Sequence, residues 1–271
     1  MPKSEIPGEI ASPTQPFPTA PPALVPQHFT ADEVWGITPA DRDACRAILQ
    51  SLRNEGIFTP PSLQGTLTIP GHIGGMNWSG SAFDARRGLL IVNTNNLPYI
   101  VRLIPRAEFD NPANRNLPGE YGSQTGTPYA MYRIPFLAPG SHLPCSAPPW
   151  GTLAAVEIAA GKIRWQVPLG SMENFASSHP GTPPGSISLG GPIVTAGGLV
   201  FIAGTIDPYL RAFDVETGKE LWKGELPASG HATPMTYRLP NGKQFVVIAA
   251  GGHAKISEEP QSDALVAFAL P

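Results

Sequence analysis

Two stretches of the chain are written to one template: AAVEIAAGKIRW, Ala154–Trp165, and RAFDVETGKELW, Arg211–Trp222. Each runs from alanine through an acid flanked by apolar residues to Gly-Lys and a closing tryptophan. The second reads as strand, tight turn, strand. Ala212, Phe213 and Val215 form an apolar run, Glu216-Thr217-Gly218-Lys219 has turn chemistry, and Leu221-Trp222 resumes the strand. A glycine here supplies the positive φ that hairpin turns need at little steric cost. A glycine-rich strand pair precedes each hairpin: IGGMNWSGSAFDARRGLLIVNT before the first and GGPIVTAGGLVFIAGT before the second. After Trp222, HATPMTYRLPNGKQFVVIAAGG and DALVAFALP carry three more short strands. Four strands per unit, repeated every ~40 to 60 residues, describe the blades of a β-propeller, where radial repetition protects sheet edges. About two and three-quarter blades are present on this count. A β-sandwich with two similar hairpins is the alternative, and the matched Gly-Lys and Trp offsets favour the blade.

The composition agrees. The 33 prolines and 29 glycines in 271 residues suit many short strands joined by structured turns and disfavour a helical protein. A net charge of −3 argues against nucleic acid as a main partner, because phosphate binding needs a basic face. No apolar run approaches the ~18 residues of a membrane span. The start, MPKSEIPGEIASPTQPFP, has neither the basic beginning nor the apolar core of a secretion signal. Cys45 and Cys145 have no zinc-type spacing, and a disulfide and two buried thiols stand as equal alternatives.

Three regions follow. Residues 1–37 form a proline-rich extended segment that either wraps a larger body or is disordered. Residues 38–64 hold the one helix and a connection. Thr38 is its N-cap, Pro39 its first residue and Asp41 its acid, with Ala44, Cys45, Ile48, Leu49 and Leu52 at helical spacing and Gly56 as its end. Residues 65–271 are blades, interrupted by a long Pro/Gly/Asn-rich insertion at 95–150, and loops of that length are usually functional or flexible. The runs LLIVNT, GTLAAVEI, GLVFIAGT, QFVVIAAG and ALVAFAL are the clearest strands. The fold class is therefore all-β: a partial propeller with an extended N-terminal segment and one helix.

The template Ala-x-Asp-x-x-Thr-Gly-Lys-x-x-Trp resembles the tryptophan-docking motif of quinoprotein dehydrogenases, enzymes that bind pyrroloquinoline quinone (PQQ). Ala212–Trp222 matches it throughout; Ala155–Trp165 has Glu157 for Asp and Ala160 for Thr. EGIFTPPSLQGTL, LPCSAPPWGTLAAVEI, LGGPIVTAGG, ATPMTYRLPNGKQFVVIAAGGH, VAFALP and SPTQPFP are similar to segments in the C-terminal part of membrane-bound quinoprotein glucose dehydrogenases, in the right order. The resemblance implies an eight-bladed propeller of which this chain supplies about three four-stranded blades. It implies PQQ over the central axis beside a divalent cation, Ca²⁺ or Mg²⁺, and an aldose such as glucose oxidised to the lactone with electrons passed to a quinone acceptor. It also implies a periplasmic, membrane-associated setting. The missing N-terminal blades, the catalytic base and the lysine that contacts PQQ would lie before Met1, so the isolated chain is expected to bind PQQ weakly and to lack activity. A PQQ-dependent alcohol dehydrogenase, and a non-enzymatic propeller scaffold of the outer-membrane assembly type, are the alternatives. The alcohol enzymes usually have tryptophan where GGH has histidine, and a scaffold has no reason to keep GGH.

Five residues are candidates for cofactor binding: Asn77, Trp78, Asp207, Gly252 and His253. In AAGGHAK the glycines let backbone approach a planar ligand, and the His253 imidazole can meet the cofactor or the sugar edge. From the residues alone an exposed loop histidine is the plainer reading, and the resemblance reverses that. Asp207, after an inner strand, can orient a cofactor or pair with a cation, or simply start an Asp-Pro turn. The Trp78 indole suits a flat quinone and the Asn77 amide can bond its oxygens; a core tryptophan is the alternative. Trp165 and Trp222 are assigned to packing between blades, and Asp214 and Glu157 to turn capping. His72, His142 and His231 read as ordinary surface or loop residues. No metal ligands stand out within this chain.

Overall fold

The computed structural model of the chain describes residues 1–172, 185–253 and 261–269. The helix α1 spans Pro39–Gln50. The strands are β1 (Thr66–Thr68), β2 (Ala82–Asp84), β3 (Leu89–Asn95), β4 (Tyr99–Pro105), β5 (Glu120–Gly122), β6 (Tyr129–Pro135), β7 (Gly151–Glu157) and β8 (Lys162–Pro168). They continue with β9 (Ile193–Val194), β10 (Leu199–Ile202), β11 (Tyr209–Asp214), β12 (Glu220–Glu225), β13 (Met235–Arg238), β14 (Gln244–Ala250) and β15 (Ala264–Ala269). Leu270, included in the expected last strand, lies outside the described residues. All four sheets among the described residues are antiparallel, and the chain divides into two compact units.

The first unit comprises Met1–Pro18, Val25–His72 and Asn96–Ala147. Thr38 caps α1 as its sequence implies, its hydroxyl accepting from Asp41 N at 3.1 Å, with Pro39 in the first turn. The helix stops at the C-cap Ser51, whose N–H donates to Ile48 O at 3.0 Å while Leu52 N donates to Leu49 O at 3.1 Å, so it ends a turn earlier than the expected Gly56 stop. Its apolar stripe, Cys45 and Leu49, packs with Phe29, Val34, Leu67, Ile69, Phe136 and Cys145. Cys45 and Cys145 form a disulfide, which resolves the open alternative. The insertion is not a bare loop. It holds β4, β5 and β6, which join β1 in a sheet of order β1-β4-β6-β5, and a second short helix, α2 (Arg106–Phe109). Ile104, Phe109, Ala130 and Tyr132 bury one side of that sheet.

The second unit comprises Thr19–Leu24, Ile73–Asn95 and Pro148–Pro271. Its sheets run β2-β3-β7-β8, β9-β10-β11-β12 and β13-β14-β15, so the glycine-rich pair and the Trp-ended hairpin of each repeat do form one four-stranded sheet. The insertion interrupts the first of these between its two middle strands. In both hairpins the motif alanine is paired with the motif tryptophan, Ala155 with Trp165 and Ala212 with Trp222, and a bulge follows immediately in each. The bulge adds twist at the same point of each sheet. Asp214 Oδ1 caps the turn, accepting from Glu216 N, Thr217 N and Thr217 Oγ1 at 3.0, 2.9 and 2.8 Å, and Gly218 closes it at φ +71°. Asp84 builds a like turn in AFDARRG, accepting from Arg86 N and Arg87 N, with Gly88 at φ +67°.

Apolar residues join these sheets face to face. Leu89, Ile91, Leu153 and Leu169 pack with Val200, Ile202, Phe213 and Val215. Ala203, Leu210 and Leu226 pack with Val246, Ile248 and Ala250. Each fully buried leucine, isoleucine or valine contributes about 1.5–3 kcal/mol relative to exposure. Trp165 reaches from β8 to the second sheet, where its indole N–H donates to Val215 O at 2.9 Å. Trp222 sits in the equivalent position and meets Phe268 of the third sheet, ring centroids 5.0 Å apart. Glu157 pairs with Arg164 at 2.7 Å, and Arg164 and Arg87 both reach Glu216 in the β11–β12 turn.

Candidate functional site

The site lies within the second unit, where the connections before β2, β9 and β13 meet the segment after β14. Buried asparagines at the end of β3 begin the framework. Asn95 exchanges two hydrogen bonds with Ser188, N–H to Oδ1 at 2.7 Å and Nδ2 to the carbonyl at 2.9 Å, and also donates to Ile73 O at 3.1 Å. Asn93 Nδ2 donates to Ser188 Oγ at 2.8 Å and Gly190 O at 3.1 Å. Backbone bonds carry the framework onward: Leu189 N to Gly204 O, Gly204 N to Gly230 O, and Gly252 N to Ser229 O at 2.9 Å. Close backbone approach explains the glycines. A Cβ on Gly190 would lie 2.9 Å from Gly204 Cα and 3.0 Å from His231 O, and one on Gly191 would lie 2.5 Å from Ser79 O.

Asn77 and Trp78 stand on the first of these loops. The Asn77 amide is turned inward: Nδ2 donates to Ile73 O and Oδ1 accepts from Trp78 N, both at 2.7 Å. It fixes the loop that presents Trp78, whose side chain is 81% exposed. An indole that open is unusual for so large an apolar group. Beside it, the buried Ser79 Oγ has no hydrogen-bond partner among the described residues. Gly252 and His253 stand at the far end of the same framework, Gly252 at φ +69° in the left-handed region and His253 partly buried. The ring of His253 lies 5.5 Å from that of His231. His231 itself is only 8% exposed, so the surface or loop role read from its sequence does not hold: Gly230 and its neighbours draw it into the framework.

Asp207 sits apart from these loops in its bonding, on the connection from β10 to β11. Its carboxylate is buried and enclosed by donors. Oδ2 accepts from Arg211 Nη2 at 2.6 Å and from Ser171 N and Oγ at 2.6 and 2.7 Å; Oδ1 accepts from Arg211 Nη1 at 2.8 Å and Thr205 Oγ1 at 2.6 Å. Burial pushes the Asp207 carboxyl up, and the bonds and charge of Arg211, with Thr205 and Ser171, outweigh it and hold the pKa below the usual value. Arg211 and Ser171 are residues that sequence reasoning did not single out. Arg211 stands four residues after Asp207, a spacing that brings side chains together on a helix and carries no such meaning in a strand.

The groups whose chemistry suits a flat polar ring system are the open indole face of Trp78, the Ser79 hydroxyl beside it and, at the far end of the framework, the His253 imidazole. For a cation the fit is poorer. Among the described residues no group of three or more His, Cys, Asp or Glu could hold a metal ion, and the Asp207 oxygens are already engaged. No helix among the described residues is long and apolar enough to cross a membrane.

Residues 1–246 match the family described as PQQ glucose/ethanol/alcohol dehydrogenase, β-propeller domain. The chain is 41% identical to the quinoprotein glucose dehydrogenase of Escherichia coli, over 100% of this chain and 35% of that protein. It is 40% identical to a probable quinate dehydrogenase (quinone) of Xanthomonas campestris pv. juglandis, over 99% of this chain and 35% of the relative. The chain thus spans about a third of the length of these relatives. The crystal structure of quinohemoprotein alcohol dehydrogenase from Comamonas testosteroni resembles it with a TM-score of 0.52 and 26% identity, covering 76% of this chain and 27% of the other.

Proposed function

The chain belongs to the PQQ glucose/ethanol/alcohol dehydrogenase β-propeller family, and we propose that it forms part of a PQQ-dependent dehydrogenase that oxidises a CH–OH group of glucose or another aldose. The observation that carries this proposal is the open Trp78 indole on a loop fixed by Asn77 and linked, through Asn95, Ser188 and then glycine backbone, to the segment that bears His253. When bound, PQQ supplies the two-electron acceptor. Trp78 offers its face to the ring and keeps water from that side, Asn77 and Gly252 hold the backbone that presents the two contacts, and His253 meets the polar edge of cofactor or sugar. Asp207 acts indirectly: ionised and paired with Arg211, it anchors Ser171 rather than meeting the ligand through a free oxygen.

The general base that takes the hydroxyl proton, the remaining blades and any Ca²⁺ or Mg²⁺ ligands belong, on this proposal, to the two-thirds of the relatives that the chain does not match. The quinone acceptor and a periplasmic, membrane-associated setting come with the same likeness. The Cys45–Cys145 disulfide suits an oxidising compartment. Glucose and quinate relatives are about equally similar, so the aldose is tested against quinate directly.

The experiment is reconstitution of the 271-residue chain with PQQ and Ca²⁺ or Mg²⁺, followed by tryptophan fluorescence and by dye reduction with glucose and with quinate. Weak PQQ-dependent quenching without turnover is expected. No quenching at any PQQ concentration would remove the cofactor contact, and robust turnover would place the base inside this chain.

A further inference from the structure

We propose that His231 is a positioning residue for His253, setting the direction in which the His253 imidazole faces its ligand; the ligand itself rests on the cofactor-contact proposal above. Three observations converge. First, His231 is buried where a surface histidine was expected, and its Nε2 lies 2.9 Å from Ser229 Oγ, which fixes the rotation of the ring. Second, the two imidazoles meet edge to face, centroids 5.5 Å apart at an interplanar angle of 75°, an arrangement that aromatic rings favour over a face-to-face sandwich. Third, backbone ties the two histidine segments: Ser229 O accepts from Gly252 N at 2.9 Å, and Gly230 O accepts from Gly204 N at 2.7 Å, which anchors the His231 segment to the connection after β10.

The order of parts matters. His253 follows two glycines, Gly251 and Gly252, which bring no side chains against its ring. A wall from outside the segment narrows the rotamers open to it. His231 supplies that wall, and Ser229, two residues before it, holds the wall in place. A contact residue pre-set in this way loses less freedom when its ligand arrives.

The test uses the 271-residue chain and imidazole NMR. In the unsubstituted protein a cross-ring NOE between His231 and His253 is expected. Ser229→Ala should weaken that NOE and shift the His253 ring lines, and His231→Leu should shift them further, while the backbone amides of β14 and β15 stay in place. His231→Phe keeps an aromatic wall and should restore most of the His253 line position, which a general packing role would not do. His253 lines unchanged in a folded His231→Leu protein would overturn the proposal, as would an unchanged NOE in Ser229→Ala should His231→Leu fail to fold. PQQ added to the same samples separates the two proposals. If the variants shift His253 but PQQ does not touch it, the positioning stands and the cofactor contact falls.

Discussion

Trp165 Nε1 donates to Val215 O at 2.9 Å, and the same indole lies over Gly218, where a Cβ would come within 2.6 Å of the ring. One residue thus uses both of its features, the N–H and the flat face, on the turn of the next sheet. The glycine in the motif serves two purposes, a left-handed turn and a seat for the tryptophan of the preceding repeat.

Gly218→Ala should destabilise the protein by about 2–4 kcal/mol, combining the left-handed backbone cost with displacement of a packed ring. Trp165→Ala should cost about 2–3 kcal/mol. Trp222→Ala should cost less, because its side chain is 39% exposed. Urea midpoints at constant m-value measure all three.

Asp207→Asn should cost about 3 kcal/mol, since it removes the buried charge partner of Arg211 and leaves Arg211 with the more exposed Glu220, 3.2 Å away. The pH dependence has a fixed sign. The folded pKa of Asp207 is depressed, so its contribution is present above the unfolded value of about 3.9 and is lost as pH falls through the lower folded value. The variant should show a flatter stability curve below pH ~4. Denaturation series from about pH 2 to about pH 7 check it.

Reduction of Cys45–Cys145, or Cys45→Ala with Cys145→Ala, should cost on the order of 4–5 kcal/mol, because the bond closes a loop across a sequence separation of 100. Thermal unfolding with and without reductant measures the loss.

Trp78→Ala should leave stability within about 0.5 kcal/mol, as the side chain buries little. The same change should lower PQQ affinity by about tenfold, the equivalent of one aromatic contact at 1.4 kcal/mol. Fluorescence titration combined with urea denaturation separates the two effects; a normal affinity would remove Trp78 from the site.

The two Trp-ended hairpins were legible because every feature of the turn is local: the capping acid, the glycine and the apolar alternation lie within twelve residues. The matching turn at Asp84 has the same letters, AFD with glycine four residues on, but no Lys or Trp follows, so its stretch reads as a glycine-rich strand pair and not as a copy of the capped turn. The strands inside the insertion were hidden by its prolines and asparagines; β4 and β6 are held by pairing across α2 and β5, which sequence spacing does not report. The loop framework at the candidate site was partly visible in its glycines. Its asparagines looked like a polar strand end, and their partners at Ser188 and Gly190 lie more than ninety positions away.

The disulfide ties Cys45 to Cys145 across a stretch that includes the exposed residues 113–120 and 123–128. A protease that cut the backbone there would not release two pieces. The halves would migrate together on a non-reducing gel and separate only after reduction, so this protein can carry a broken backbone and still travel as one molecule.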